Sequence, residues 1–320
     1  MSESVLITGC EGFVGRYLTQ YLFDLGYEIS ATYFDTNAVE NLNFLKDKTT
    51  LYKCDITKFD DIKNVIEKSK PDHIYHLAAQ SHVPTSWKNP QLTFNVNVIG
   101  TLNIINVISE LKNKPIMLSV TSAEVYGHVY PAEVPIKEDN PPRPSNPYAI
   151  SKLTQDQLST QYAKANNLPI IIVRPFSHTG PHQLPNFVCS AFAKQCAAIQ
   201  LGLQEPIISV GNLEPSRDFT DVRDMVKAYH LAITKCDYGQ CYNICSKSPQ
   251  KISGILDTLL SFTDKKIEVV IDKEKFRPIE IEMLYGDPTK FISKTGWSPQ
   301  IPLTTTLKDI FNYWIEKLNP

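Results

Sequence analysis

The sequence predicts an α/β protein in which a doubly wound parallel sheet is joined to a smaller, interleaved C-terminal module. Three observations predict it. Short apolar runs alternate with segments of helical period up to residue 175, three glycines stand between the first run and the first helix, and the alternation breaks off after "RPF".

Taken in order, "SVLITG" reads as a short buried strand, and "FVGRYLTQYLFDLG" repeats Val14, Leu18, Tyr21, Leu22 and Leu25 at helical spacing before stopping at Gly26. "YEISATYF" predicts a second strand, "TLYKCDI" a third, "FDDIKNVIEKSK" a helix and "DHIYHLAA" a fourth strand. A helix over 95–112, the strand "KPIMLSVTS", the long helix "PYAISKLTQDQLSTQYAKANN" and the strand "LPIIIVRPF" complete a βαβ series, which requires right-handed crossovers. Beyond it "SHTGPHQLPN" is loop and "FVCSAFAKQCAAIQLGL" a helix with no strand close behind. Residues 1–175 are therefore expected to form the first domain, with 218–245 returning to it and with 176–217 and 246–320 forming the second. The proline-dense stretch 140–147 falls inside the first domain and is expected to be an ordered loop.

Composition narrows the partner. The 320 residues carry 32 Lys+Arg against 34 Asp+Glu, a net charge of −2, so neither a nucleic acid nor a membrane is expected and a small molecule is. No charged n-region with an apolar h-region opens the chain and no run of about 18 apolar residues occurs, so a soluble, cytoplasmic protein is expected. The 7 cysteines are odd in number and form no CxxC pair, which argues against disulfides and structural zinc. Cys241 and Cys245 should share one face of a strand as small buried hydrophobes. His178 and His182 have helical spacing, but Gly180 and Pro181 exclude the helix, and no metal is expected.

The chemistry is carried by two motifs. In "TGCEGFVG" Gly9, Gly12 and Gly15, with Phe13 and Val14 between them, give the tight turn, the close backbone approach and the helix N-terminus that receive a pyrophosphate, the fingerprint of a Rossmann-type dinucleotide domain. Asp35, at the end of the second strand, either accepts from a ribose hydroxyl or begins a turn; with no Arg or Lys beside it, NAD(H) is favoured over NADP(H). Asp55 and Ile56 either flank an adenine or, for Asp55, cap the next helix. Tyr148 and Lys152 stand one helical turn apart, and an ammonium beside a phenol would lower the phenol's pKa toward working pH. Ser122 and Glu124 follow the preceding strand, in a segment that also reads as a plain turn ending at Gly127.

Together with "HLAAQS" and "RPF", these residues resemble the extended short-chain dehydrogenase/reductase family, whose members act on nucleotide-sugars. Over nearly the whole chain, "FAKQ", "EPIISVGNLEPSRDFTDVRDMVKAY", "CYNIC", "RPIE" and "TGWSPQIPL" are similar to GDP-4-keto-6-deoxy-mannose reductases, and "AAQSHV" to GDP-mannose 4,6-dehydratases. The resemblance implies that Leu77, Ala78 and Ala79 line the cofactor. It also implies that Ser81 meets the substrate, that Lys194, Arg217 and Arg277 face its diphosphate, and that Asn186 and Glu280 lie near sugar or base; a diphosphate needs such cationic forks in a chain of near-zero charge. The sequence departs from the pattern at Ser177, where the family has Asn, at Ala123, where dehydratases have Asp or Ser, and at Phe34, where reductases often have Arg.

The resemblance implies reduction of a 4-keto-6-deoxy nucleotide-sugar with NAD(H) or NADP(H): Tyr148 delivers the proton, Lys152 tunes it and holds the nicotinamide ribose, and Ser122 orients the carbonyl. Two alternatives stand beside it, a 4,6-dehydratase with Glu124 as base, and a non-catalytic cofactor-sensing regulator, against which the intact Ser122, Tyr148 and Lys152 argue. Apolar residues on the helices 95–112 and 148–166 exceed what one sheet face needs, and a homodimer is expected.

Overall fold

The computed structural model describes residues 3–34, 49–276, 279 and 281–319. Its first strand, β1 (Ser4–Thr8), is buried on both faces: Val5 and Ile7 enter one apolar cluster and Leu6 the other. Such two-sided burial marks the middle of a parallel sheet covered by helices on each side. Around it the chain lays down α1 (Phe13–Asp24), β2 (Glu28–Tyr33), β3 (Thr50–Lys53), α2 (Phe59–Ser69) and β4 (His73–His76). Next come α3 (Val83–Lys88), α4 (Pro90–Phe94), a π-helical turn (Asn95–Ile99), α5 (Gly100–Glu110), β5 (Ile116–Val120), α6 (Pro147–Ala165) and β6 (Ile170–Pro175).

The second half contributes β7 (Ser177–Thr179), α7 (Val188–Gln200), β8 (Ile207–Val210), β9 (Ser216–Asp221), α8 (Val222–Lys235) and β10 (Cys241–Ile244). It closes with β11 (Pro249–Lys251), α9 (Ile252–Leu260), β12 (Glu268–Ile271), β13 (Met283–Leu284), α10 (Thr289–Thr295) and α11 (Leu303–Leu318). Seven strands pair in the order β10-β6-β5-β4-β1-β2-β3, all parallel. The order reverses between β1 and β4, and a crevice outside the strand ends at such a reversal is where ligands bind in this architecture. Apolar side chains of α1 and α8 cover one face, through Leu18, Leu22, Met225 and Tyr229; those of α2 and α5 cover the other, through Ile62, Ile66, Ile104 and Ile108. A smaller set of strands pairs β7, β11 and β13 around β9, and β8 with β12, beside a third apolar cluster built on α7, α9 and α11.

Two expectations are adjusted. The helix read over 95–112 starts earlier, at Pro90, because Asn89 caps it by accepting the Leu92 N–H at 3.0 Å, and the π turn carries it through to Glu110. That run is long and apolar enough to cross a membrane by length and composition, and half of its apolar window is buried in the fold. Cys241 and Cys245 do not share a face, since β10 ends at Ile244: Cys241 packs with the α2/α5 side, while Cys245 joins Phe176 and Leu284 below the sheet's edge. The α6 helix buries Ser151, Lys152, Gln155, Asp156 and Ser159, so its inner face is polar, and the partners of those groups organise the site.

Candidate active site

The glycine loop is bound to β2 by its backbone, Gly9 and Cys10 N–H donating to Thr32 O at 3.1 and 3.0 Å. Gly9 has φ +75 and a Cβ there would lie 2.8 Å from Ala78 Cα, while a Cβ at Gly15 would lie 2.3 Å from Gly9 O; neither site admits a side chain. Gly12 is exposed and caps α1 with no side-chain hydrogen bond, leaving the first-turn N–H groups at Phe13 and Val14 to a ligand. These residues fit a dinucleotide pyrophosphate. Ala78 is fastened to β1 by its N–H on Thr8 Oγ1 at 3.2 Å, and Leu77, Ala78 and Ala79 lie half-buried past the end of β4.

At the sheet's other end, Asp55 engages its own turn, accepting the Thr57 N–H and Oγ1–H at 3.0 and 2.7 Å, and so does not cap α2. Ile56 is buried under Gly100, and its carbonyl accepts the Asn103 Nδ2–H at 2.9 Å. A cleft of about 460 Å³ opens there, lined by Phe34, Lys53, Asp55, Lys58 and Asn64. Asp35 lies outside the described residues.

Ser122 stands beside Tyr148, near enough for its hydroxyl to hold the phenol's pKa down. The strand β5 ends in a 3₁₀ turn, Ala123–Tyr126, for which Ser122 is the cap: its Oγ accepts the Glu124 N–H at 3.1 Å. The turn former is thus the same serine that stands beside Tyr148. Asn146, which sequence reasoning passed over, ties the two segments: its Oδ1 caps α6 by accepting the Ala149 N–H at 2.8 Å, and its Nδ2 donates to Glu124 Oε2 at 3.3 Å. The signal was present as an Asn immediately before a Pro-Tyr helix start.

Electrostatics correct one expectation. Burial pushes the Tyr148 phenol up to about 12, the Ser122 hydrogen bond opposes this, and the nearby Glu124 charge adds to it. Lys152 shares the helix face but turns its ammonium elsewhere, donating to Val120 O at 3.0 Å and Gln155 Oε1 at 2.9 Å. Burial lowers it to about 7. Its neighbour His76 is brought down to about 3 by burial and then by Lys152, and the neutral ring bridges Thr8 and Thr101 at 2.9 Å on each side. Burial thus holds the phenol up, while the ammonium is bonded to Val120 and Gln155.

A depressed lysine has a sign that can be tested. Above about pH 7 the unfolded chain keeps the Lys152 proton that the fold has released, so this group makes stability rise with pH until the unfolded lysine also titrates. Over that window its slope approaches about 1.4 kcal/mol per pH unit. Urea unfolding at pH 7 and pH 9 is expected to show a larger gain for the wild type than for Lys152→Met, and equal gains would refute the assignment.

The candidates for the substrate are more scattered. Ser81 and Asn186 are exposed, one after β4 and one before α7. Arg217 is buried on β9, with Nη1 donating to Ser216 O at 2.9 Å. Lys194 lies on α7 with its ammonium 5.3 Å from the Trp314 ring centre, so a role at a diphosphate requires it to swing off that ring. Arg277 and Glu280 lie outside the described residues. His178 stacks on Phe13 at 6.3 Å and His182 packs on Tyr313 at 4.5 Å, so the two imidazoles turn to different neighbours.

Comparison with known proteins adds three findings. The family model for GDP-mannose 4,6 dehydratase matches residues 6–310. The chain is 32% identical over 314 residues to GDP-6-deoxy-D-mannose reductase of Pseudomonas aeruginosa, covering 98% of each, and 28% identical to human GDP-mannose 4,6 dehydratase, covering 98% of this chain and 92% of that one. A solved structure of RMD from Pseudomonas aeruginosa complexed with NADPH superposes with a TM-score of 0.86 at 30% identity, covering 99% of this chain and all of that one.

Proposed function

The chain belongs to the GDP-mannose 4,6 dehydratase family, and on that premise we propose that it is a nicotinamide-dependent reductase of a GDP-linked 4-keto-6-deoxy sugar. The observation that carries the reading is a buried Tyr148 phenol beside the buried Ser122 hydroxyl, since reduction of a ketone must supply a proton to its oxygen. When bound, the nicotinamide supplies hydride to the carbonyl carbon. Ser122 holds the carbonyl oxygen, Tyr148 gives up its phenolic proton to that oxygen, and Lys152, one turn away, stabilises in its charged form the phenolate left behind and holds the nicotinamide ribose. Residues 1–175 with 218–245 hold the cofactor, and 176–217 with 246–320 hold the nucleotide-sugar, Arg217 and Lys194 serving its diphosphate.

The second reading, a 4,6-dehydratase, is favoured by Glu124, which Asn146 holds near enough to Tyr148 for its charge to act on the phenol. Such an enzyme must take a proton from C5 and protonate a leaving hydroxyl at C6. Ala123 cannot be that acid. Oxidation of NADH or NADPH with a GDP-4-keto-6-deoxyhexose tests the first reading. Under it, Glu124→Gln is expected to lower turnover by less than about tenfold, because the carboxylate only hydrogen-bonds a sugar hydroxyl; abolished turnover would favour the second.

The proposed active form is a cytoplasmic homodimer. Leu92, Ile99 and Ile150 are exposed at 44, 43 and 43% on elements that pack side by side, and these apolar side chains are the ones a second copy would cover. Light scattering at micromolar concentration is expected to give twice the chain mass for the wild type and the chain mass for Ile99→Arg. A monomeric wild type would refute the pairing.

A further inference from the structure

The stretch "RDFTDVRD", which runs from β9 into α8, buries three carboxylates, Asp218, Asp221 and Asp224, each at 1% exposure or less. Each is engaged by a neighbouring segment. Asp218 accepts the Ser246 N–H and Oγ–H at 2.8 and 2.6 Å and the Lys247 N–H at 2.9 Å. Asp221 accepts the Thr306 Oγ1–H at 2.7 Å, and Asp224 accepts the Gln300 and Ile301 N–H groups, both at 2.7 Å. The three carboxylates thereby fix the turn after β10, the segment before α11 and the first turn of α11 as walls. Between these walls and α9 lies a cleft of about 420 Å³, and among the described residues that line it none is charged.

We propose that this cleft is a second binding site, which takes a neutral, hydroxyl-rich ligand: a free hexose or a short oligosaccharide. None of Ser122, Tyr148, Lys152, Lys194 and Arg217 lines it, so it is separate from the candidate active site. Its own groups point to the ligand. Thr220, at 2% exposure, has a buried Oγ1 with no hydrogen-bond partner among the described residues. On β9 it shares a face with Asp218, whose bonds reach the wall at 246–247. A buried hydroxyl left unsatisfied is costly, and a ligand hydroxyl satisfies it. Gln250 and Gln300 line the same cleft with their amide nitrogens already donating, to Ser248 Oγ at 3.2 Å and Ser298 Oγ at 2.7 Å, which leaves their side-chain carbonyls to accept from a ligand. Ile255 and Ile301 add apolar surface suited to the C–H faces of a sugar ring. An ionised ligand would find no counter-charge in this lining, and a wholly apolar one would leave the hydroxyl and the amides unpaired. The volume falls at the small end of ligand pockets, room for about one or two rings. Gly254 completes the cleft: it sits in α9, where every residue but proline is a better helix former, and a Cβ there would meet open space. No packing demands glycine at that point, and the gap it leaves belongs to the cleft.

The inference rests on no reading of the Tyr148 site, and its test reads binding and unfolding alone. Saturation-transfer NMR on the whole chain is run in separate arms with glucose, mannose, galactose, maltose, glucose 6-phosphate and guanosine. At least one of the four neutral sugars is expected to bind with a Kd of about 1 mM or tighter. Glucose 6-phosphate should bind at least about tenfold more weakly than that sugar, because its charge has no partner in the lining. Gly254→Gln fills the gap and should abolish the binding without lowering the unfolding midpoint. Thr220→Val keeps the shape and removes the hydroxyl. It should weaken binding by about tenfold and leave the midpoint unchanged or higher, since that hydroxyl has no partner to lose. The inference is overturned if no neutral sugar binds, if binding survives Gly254→Gln, or if glucose 6-phosphate or guanosine binds more tightly than the sugars in a manner that Gly254→Gln removes. A lowered midpoint in Thr220→Val would make the hydroxyl structural and overturn it as well.

Discussion

Replacing Tyr148 with Phe is expected to lower turnover by roughly 10²-fold or more while leaving the substrate Kd near its original value. The ring is buried at 8% exposure and the substitution keeps its shape, so packing is unchanged and only the hydroxyl is lost. With it goes the phenol that stands beside Ser122 and whose pKa burial raises. Stopped-flow turnover and substrate titration on the same preparation separate the two quantities. Substrate binding lost in parallel with turnover would make Tyr148 a binding residue only.

The second large effect is structural and falls on the same helix. Asp156, one turn beyond Lys152 on α6, holds Arg174 of β6 through two bonds, Nε to Oδ2 at 2.8 Å and Nη2 to Oδ1 at 2.9 Å, with side-chain exposures of 9% for the arginine and 1% for the aspartate. The same guanidinium donates to Tyr126 Oη and Glu138 O, both at 3.0 Å, and so joins the catalytic helix, the sheet and the turn after Ser122. Asp156→Ala leaves an arginine buried without its counter-charge, which costs about 3–5 kcal/mol in comparable pairs. Urea unfolding is expected to show that loss at an unchanged m value. The Arg143–Glu133 pair, equally short at 2.7 Å but 31 and 24% exposed, should matter far less when Glu133 becomes Ala. Equal losses at both pairs would contradict the burial argument.

These contrasts show what the sequence could and could not disclose. The sheet was readable because strands buried on both faces form unbroken apolar runs such as Ile170–Val173, and because a glycine triplet has few other reasons to follow β1. The YxxxK spacing put Tyr148 and Lys152 on one face of α6. It carried no information on what the ammonium touches, and Val120 O and Gln155 proved to be its partners. The π turn at Asn95–Ile99 was invisible to a search for a 3.6-residue period, although it presents Asn97 inward to Gln80 and Ser151. Strands as short as β7 and β13 have no alternation to read, with three and two residues each.

The most direct test of the account follows one hydrogen. The chain is incubated in water with a GDP-4-keto-6-deoxyhexose and a reduced nicotinamide cofactor deuterated at C4, and in parallel, in D₂O, with an unmodified GDP-hexose and oxidised cofactor; sugars are then read by NMR and mass spectrometry. Reduction by the Ser122–Tyr148–Lys152 site predicts deuterium at sugar C4 in proportion to cofactor oxidised, and no product from the unmodified sugar. A 4-keto product from the unmodified sugar, carrying solvent deuterium at C5 with no net change in cofactor, would contradict it and assign the site to dehydration.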